Sequence, residues 1–365
     1  REATLAALGE LAEGTLFAIV KGTHEGEVIF PSRGPLQRAN PESLTAARHA
    51  LDMLRPYGGT AMGAWLGVTR QVAAQYPQAM AHAILLTDGK NEHEEPHHLA
   101  EEVRRSQGLF TCDCRGIGTG YVIEELRTIA SGLLGSVDVV KHGAELATDF
   151  KAMMRASMGR SIPELTLRVW TPVGATVRFV KQVAPSIQDL TGRRTEAGAQ
   201  IGDYSLGAWG VEDRDYHVQV RVEPAAPGRE KLAARISVLA VDPAGEQAVV
   251  GQGLVKAVWT TDSELSARIS RRVAHYTGQA ELAQAVQDGL SARKQGDLDT
   301  ATAKLQRAVQ LAAESGNEGT AKLLRNVVEV DEHTGTVRLR RTVDTFDEMA
   351  LDARSTKTAR VRKEI

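Results

Sequence analysis

The sequence predicts three successive architectures: a doubly wound α/β sheet, an antiparallel β-sandwich and an α-helical hairpin. Three observations predict this. Strand-like and helix-like stretches alternate from Arg1 to about Met158, the rhythm of a parallel sheet covered by helices on both faces. From Glu164 to about Thr260 the apolar period falls to two, with recurrent turn residues, as in a sandwich of short strands. From Asp262 the period becomes helical, and two amphipathic stretches flank Gly296-Asp297. A chain of 365 residues has room for all three. The expected boundaries are 1–160, 161–261 and 262–330, with a tail over 331–365.

Arg1 to Leu11 reads as the back half of a helix, with Leu5, Leu8 and Leu11 at helical spacing and Gly14 as the stop. Leu16 to Lys21 is the next strand, and Glu27 to Pro31 pairs with it as an edge hairpin. Pro41 to Leu54 is a helix whose inner side is Leu44, Ala47, Leu51 and Leu54. The turn Gly58-Gly59-Thr60-Ala61-Met62-Gly63 opens a helix running to about Tyr76. Thr60 is a natural N-cap there, because its hydroxyl accepts a first-turn N–H; the same hydroxyl can instead face a ligand or a metal. Ala83 to Leu86 is a short apolar run that stops at Thr87, Asp88 and Gly89, as a buried parallel strand does. Asp88 then stands at the carboxyl end of its strand, the edge where open α/β sheets bind ligands.

Pro96 to Gln107 is a surface helix and Leu109 to Arg115 a strand, followed by Gly116-Ile117-Gly118-Thr119-Gly120. Glu124 to Leu134 is amphipathic through Leu126, Ile129 and Leu133; Ser136 to Val140 is the last strand, and Ala144 to Met158 the closing helix. In the second part, Leu165-Leu167-Val169, Tyr216-Val218-Val220-Val222 and Leu232-Ala234-Ile236-Val238 alternate with mostly polar residues. Turn signals at Thr171-Pro172, Gly192, Gly202-Asp203, Pro224 to Gly228 and Pro243 to Gly245 separate about seven strands. Trp170, Trp209 and Trp259 belong to the sandwich core or rim. Further on, Glu281 to Gln295 and Asp299 to Glu314 form a helical hairpin, with Ala301, Leu305, Ala308, Val309 and Ala312 on one face of the second helix. That spacing after Gly-Asp resembles the second helix of a tetratricopeptide repeat; one unit makes a hairpin, not a solenoid. Gly319 to Val328 is a third helix and Val337 to Val343 a strand, and the end from Ser355 to Arg362 is basic and flexible.

The order glycine-rich turn, Thr60, helix, then a strand ending in Thr87-Asp88-Gly89 resembles the von Willebrand factor A domain, a doubly wound, Rossmann-like fold. That family has a metal-ion-dependent adhesion site of three parts: an Asp-x-Ser-x-Ser loop after the first strand, a Thr in a later Gly-rich loop, and an Asp in a Thr-Asp-Gly turn. Thr60 matches the second part and Asp88 the third. The first is absent, so the chain reads as starting just after that motif. The missing strand is expected in mid-sheet, leaving unpaired backbone groups on both neighbours. The resemblance implies Mg²⁺ or Mn²⁺, held weakly or not at all with two donors in place, and a protein partner presenting a carboxylate. Gly59, Gly89, Lys90 and His93 would form the rim of that contact. The whole chain looks like multidomain proteins of this family in actinobacteria. It implies a non-enzymatic interaction protein, with the substrate-recruiting subunit of a chelatase-like AAA+ ATPase as the alternative.

The remaining residues narrow the classes. Net charge is −2, which gives no electrostatic case for nucleic acid. No apolar run approaches the length of a membrane span. Cys112 and Cys114 are the two cysteines; they lack redox or zinc spacing and read as buried small apolar residues in a reducing, cytoplasmic setting. His93 and His97 are four apart, which could seat Zn²⁺ on a helix, but Pro96 between them favours a solvated polar loop. Gly116 to Gly120 lacks the dinucleotide fingerprint and reads as another loop at the ligand-binding edge. Thr358, in the basic tail with Val361 at +3, is a candidate phosphorylation site for a forkhead-associated partner, weighed against a solvated basic tail. No nucleophile–base pair or paired acid and base carboxylates can be assigned.

Overall fold

The computed structural model describes residues 1–55, 57–141, 143–241, 246–331 and 336–361. The chain divides into two compact units, Arg1–Pro163 with Gly207–Val211, and Glu164–Leu206 with Glu212–Ile365.

The first unit runs α1 (Glu2–Leu8), β1 (Leu16–Phe17), β2 (Ile19–Gly22), β3 (Gly26–Phe30), β4 (Gln37–Arg38), α2 (Pro41–Asp52), α3 (Met62–Ala73), β5 (His82–Thr87), α4 (Pro96–Ser106), β6 (Thr111–Ile117), α5 (Ile123–Gly132), β7 (Val137–Val140) and α6 (Gly143–Met158). β5, β6 and β7 are parallel neighbours, with His82 opposite Thr111 and Cys114 opposite Val137. Cys112 and Cys114 are fully buried in β6 as free thiols, and burial pushes the Cys114 thiol up. α2 carries a full capping box, Asn40 accepting from Ser43 N at 2.8 Å and Ser43 Oγ accepting from Asn40 N at 2.9 Å. It packs Ala47 and Leu51 against Leu8, Phe17 and Phe30.

Among the described residues β2 pairs only with β3, and β5 only with β6, so each presents an open edge. A cavity of about 440 Å³ is lined by Ile19 and Val20 of β2, Ile84 and Leu86 of β5, Trp65 of α3 and Phe150 of α6. Ile84 and Leu86 are accordingly only half-buried, unlike the interior of a complete parallel sheet.

The second unit begins with β8 (Leu165–Trp170), β9 (Ala175–Ala184), β10 (Gln188–Asp189), β11 (Thr195–Gly198), β12 (Ile201–Ser205), β13 (Asp215–Val222), β14 (Glu230–Val241) and β15 (Gln247–Val258). They form an antiparallel five-stranded sheet, β11-β12-β8-β14-β15, and a three-stranded sheet, β10-β9-β13. Helices α7 (Ser263–Ala267), α8 (Arg271–Lys294), α9 (Leu298–Ser315) and α10 (Glu318–Val327) follow, then β16 (Val328–Val330), β17 (Val337–Leu339) and α11 (Thr345–Arg354). Asp297 caps α9 through Thr300 N at 3.1 Å. Leu282, Val286, Leu305, Leu311, Leu324 and Leu351 form the helical core.

Four expectations need correction. The inward set Leu232, Ala234, Ile236, Val238 breaks phase in β14. The register with β15 skips Ala233, and beyond it Ser237 and Leu239 are buried while Ile236 and Val238 are half-exposed; one extra residue flips the face of all that follow. Trp209 bridges Ile162 in the first unit instead of lining the sandwich. α11 lies in the stretch assigned only as a tail, with no helix expected there, yet it forms a helix whose Leu351 is fully buried. The end of the chain is also tied down as far as Val361. Ile187 N donates to Thr356 O at 2.8 Å, and Thr358 N to Pro185 O at 3.0 Å. The buried Gln279 amide both donates to and accepts from Ala359, each at 2.6 Å. The turn read at Pro243 to Gly245 and the residues from Arg362 onward lie outside the described residues.

Candidate functional site

The site grows from two segments that meet at the carboxyl end of β5. The Thr87 hydroxyl donates to Gly89 O at 3.0 Å and accepts from Gly89 N at 3.3 Å. This closes a tight turn that leaves the Asp88 side chain exposed. Gly120, in the loop after β6, lies against the same turn, where a Cβ would stand 2.5 Å from the Asp88 carbonyl oxygen. On the other side a Cβ on Gly89 would stand 2.8 Å from Thr60 Oγ1. Thr60, Asp88 and Gly89 thus share one edge of the sheet.

Thr60 is not the cap of its helix. α3 starts at Met62, with Ala61 at the cap position and no side-chain cap bond. The loop after β5 supplies the acceptors instead. Met62 N donates to Asn91 Oδ1 at 2.6 Å, Gly63 N to Glu94 Oε1 at 2.7 Å, and Ala64 N to Glu94 Oε2 at 3.2 Å. A carboxylate at a helix N-terminus also answers the orphan donors and the dipole there. Asn91 Nδ2 donates to Glu94 at 2.7 Å, and His98 Nδ1 lies 2.8 Å from it. His93 clamps the Thr60 backbone, its Nδ1 accepting from Thr60 N at 3.1 Å and its own N–H donating to Thr60 O at 3.1 Å. The His93 ring lies over Gly59, where a Cβ would meet it at 2.0 Å.

Asn91, His93, Glu94 and His98 are therefore bound into the fold. By contrast, the Thr60 hydroxyl and the Asp88 carboxylate have no hydrogen bond or ion pair among the described residues. Lys90 stands exposed beside them, 4.0 Å from Glu92. Glu125 of α5 accepts from Asn91 N at 3.4 Å. Its burial, with Glu94 and Glu92 nearby, raises its carboxyl above the usual range.

Thr60 and Asp88 offer hard oxygen donors of the kind Mg²⁺ or Mn²⁺ takes. They fit such an ion in kind and fall short in number: among the described residues no three of His, Cys, Asp and Glu are grouped to hold a metal. The helical zinc pair does not form. α4 begins at Pro96, so His93 precedes it and only His97 is helical.

A second polar cluster at the opposite ends of the strands escaped the sequence reading. Asp113 lies 2.8 Å from His82 Nε2 and accepts from Ser136 Oγ at 2.6 Å and Ser136 N at 2.7 Å. The Ser136 hydroxyl donates to the carboxylate and not to the imidazole, so no base takes its proton and the trio is structural. Neither this cluster nor the remote capping by Glu94 has a local sequence signature, because their partners come from different elements.

With the geometry in view, comparisons with known proteins place the chain. The model of the von Willebrand factor type A domain matches residues 1–138, and that of the von Willebrand factor type A C-terminal domain matches residues 310–355. The structure titled von Willebrand factor type A from Catenulispora acidiphila is 50% identical, covering 99% of this chain and 84% of that one at a TM-score of 0.95. That of the ArnB paralog VWA2 from Sulfolobus acidocaldarius is 10% identical, covering 97% and 81% at a TM-score of 0.58, a likeness of fold alone. An uncharacterized protein of Synechocystis sp. is 24% identical over 254 residues, 68% of this chain; the match spans 58% of that relative's length.

Proposed function

The chain belongs to the von Willebrand factor type A family, and from that premise we propose that it is a non-enzymatic interaction protein that binds an acidic group of a protein partner at the Thr60–Asp88 edge. The carrying observation is the contrast at that edge. The surrounding polar side chains Asn91, His93 and Glu94 are hydrogen-bonded within the fold, while the Thr60 hydroxyl and Asp88 carboxylate have no partner among the described residues. Mg²⁺ or Mn²⁺, when bound, would supply a hard Lewis acid with an open position for a carboxylate. Thr60 and Asp88 would be two of its donors; His93 holds the Thr60 backbone and Gly120 packs against the Asp88 turn, which sets the backbone of both residues at one edge. Gly59, Gly89, Lys90 and His93 form the rim, and Lys90 gives an acidic partner a cation at the border.

The test is affinity capture in Mg²⁺ with the chain lengthened at its N-terminus by a strand and an Asp-x-Ser-x-Ser turn, which adds the donors that Thr60 and Asp88 need beside them. Retention of a partner that is released by EDTA, and lost in Thr60→Ala and Asp88→Ala, supports the reading; retention indifferent to EDTA and to both substitutions refutes it. Mass spectrometry of the captured partner separates an AAA+ ATPase from a forkhead-associated protein. The latter depends on Thr358, which is half-buried with its hydroxyl donating to Val183 O at 2.8 Å. Phosphorylation there would break that bond and release the strap, adding about two negative charges.

A further inference from the structure

Nine of the sixteen large apolar side chains exposed among the described residues fall between Val241 and Val273, which places one apolar surface on β15 and the segment that follows it. β15 is the outermost strand of its sheet and, among the described residues, pairs with β14 alone. Val249, Val250, Leu254 and Val258 are each more than half exposed, at 59%, 62%, 58% and 64%. Long apolar strands with an open edge take up another strand unless something blunts them. β15 contains no proline, and its Lys256 is drawn to Glu230 on β14, 2.6 Å away. Its register with β14 is interrupted twice, by a bulge at Val250 in β15 and by the one at Ala233 in β14.

The strand's own sequence says which partner strand fits. About Gln252 it reads alike in both directions: Gly251 with Gly253, Val250 with Leu254, Val249 with Val255. Two copies laid antiparallel about a two-fold axis at Gln252 set apolar against apolar, and the glycines leave room beside the axis. A two-fold contact is self-complementary by nature, and opposed apolar side chains are the unit that stabilises paired strands. We infer that β15 pairs with β15 of a second copy of this chain, joining their two five-stranded sheets into one. The contact is independent of the Thr60–Asp88 edge.

Gln252 provides the test, because it is exposed and, among the described residues, its side chain bonds only Ser237 Oγ, at 3.1 Å. Across the proposed axis this residue faces its own copy. Sedimentation equilibrium of the full chain at about 100 µM is expected to show a dimer. Gln252→Lys and Gln252→Glu should each sediment as monomers, since like charges would oppose each other, and an equimolar mixture of the two should recover the dimer. A Gln252→Cys chain should cross-link to itself on oxidation, with Cys112 and Cys114 fully buried and out of reach. A wild-type monomer at that concentration overturns the inference. So does a mixture of folded charge variants that stays monomeric, or dimers of the single variants as stable as wild type.

Discussion

At the scale of the residue, the edge separates groups that hold the fold from groups without a partner among the described residues. Glu94 satisfies two N–H groups of α3 and accepts from Asn91, so Glu94→Ala leaves these donors without an acceptor. It should cost about 2 kcal/mol in urea unfolding. Asp88→Ala removes an exposed side chain with no partner among the described residues and should shift stability by less than about 0.5 kcal/mol. Equal losses in the two variants would contradict the division drawn here. Asp113 carries the acid sensitivity. Burial pushes its carboxyl up, but His82, Ser136 and Arg115 outweigh this and hold it well below the usual range. A carboxyl lowered by folding contributes stability that is fully present above its unfolded value, about pH 4, and lost as pH falls further. Unfolding free energy should therefore decline from about pH 4 downward, and Asp113→Asn should flatten that decline; an unchanged slope would show that Asp113 is not its source. The Thr-Asp-Gly turn was legible because an apolar run ending in a carboxylate is a local pattern. The role of Thr60 was not, because whether its hydroxyl caps α3 depends on Asn91 and Glu94, which follow it by some thirty residues.

At the scale of the element, most helices and strands follow from local signals, and the misses have physical causes. α2, α4, α5 and α9 begin close to their expected starts, each near an Asn, Pro, Val or Asp boundary. The phase of β14 was misread because a bulge at Ala233 adds one residue, and side-chain alternation cannot reveal which residue is skipped. α11 and the strap after it were missed because a short, charged sequence becomes ordered only through tertiary contacts, here Leu351 in the helical core and Gln279 on Ala359. Removing the residues after Arg354 takes from the buried Gln279 amide both of its bonds to Ala359 and uncovers Val183, Ala184 and Tyr276. The truncated chain should unfold with a loss of about 2–3 kcal/mol from these terms. Unaltered stability would mean that the strap holds nothing.

At the scale of the whole molecule, the two units carry separate surfaces. The first presents the Thr60–Asp88 edge and, elsewhere, the cavity between the open edges of β2 and β5. The second presents β15. Period and turn chemistry made the three architectures legible in the sequence, since each is a property of neighbouring residues. The union of sandwich and helices in one compact unit was not, because long-range packing such as that of Val183 on Tyr276 leaves no periodic trace.

The most direct measurement of the central claim is calorimetry with Mg²⁺ and Mn²⁺ on two proteins: this chain, and a chain lengthened at its N-terminus by a strand and an Asp-x-Ser-x-Ser turn. The account predicts weak or undetectable binding by the first, saturable one-to-one binding by the second, and loss of that binding on Asp88→Ala. If the lengthened chain binds neither ion, or binds equally well without the Asp88 carboxylate, the Thr60–Asp88 edge is not a metal-dependent contact site.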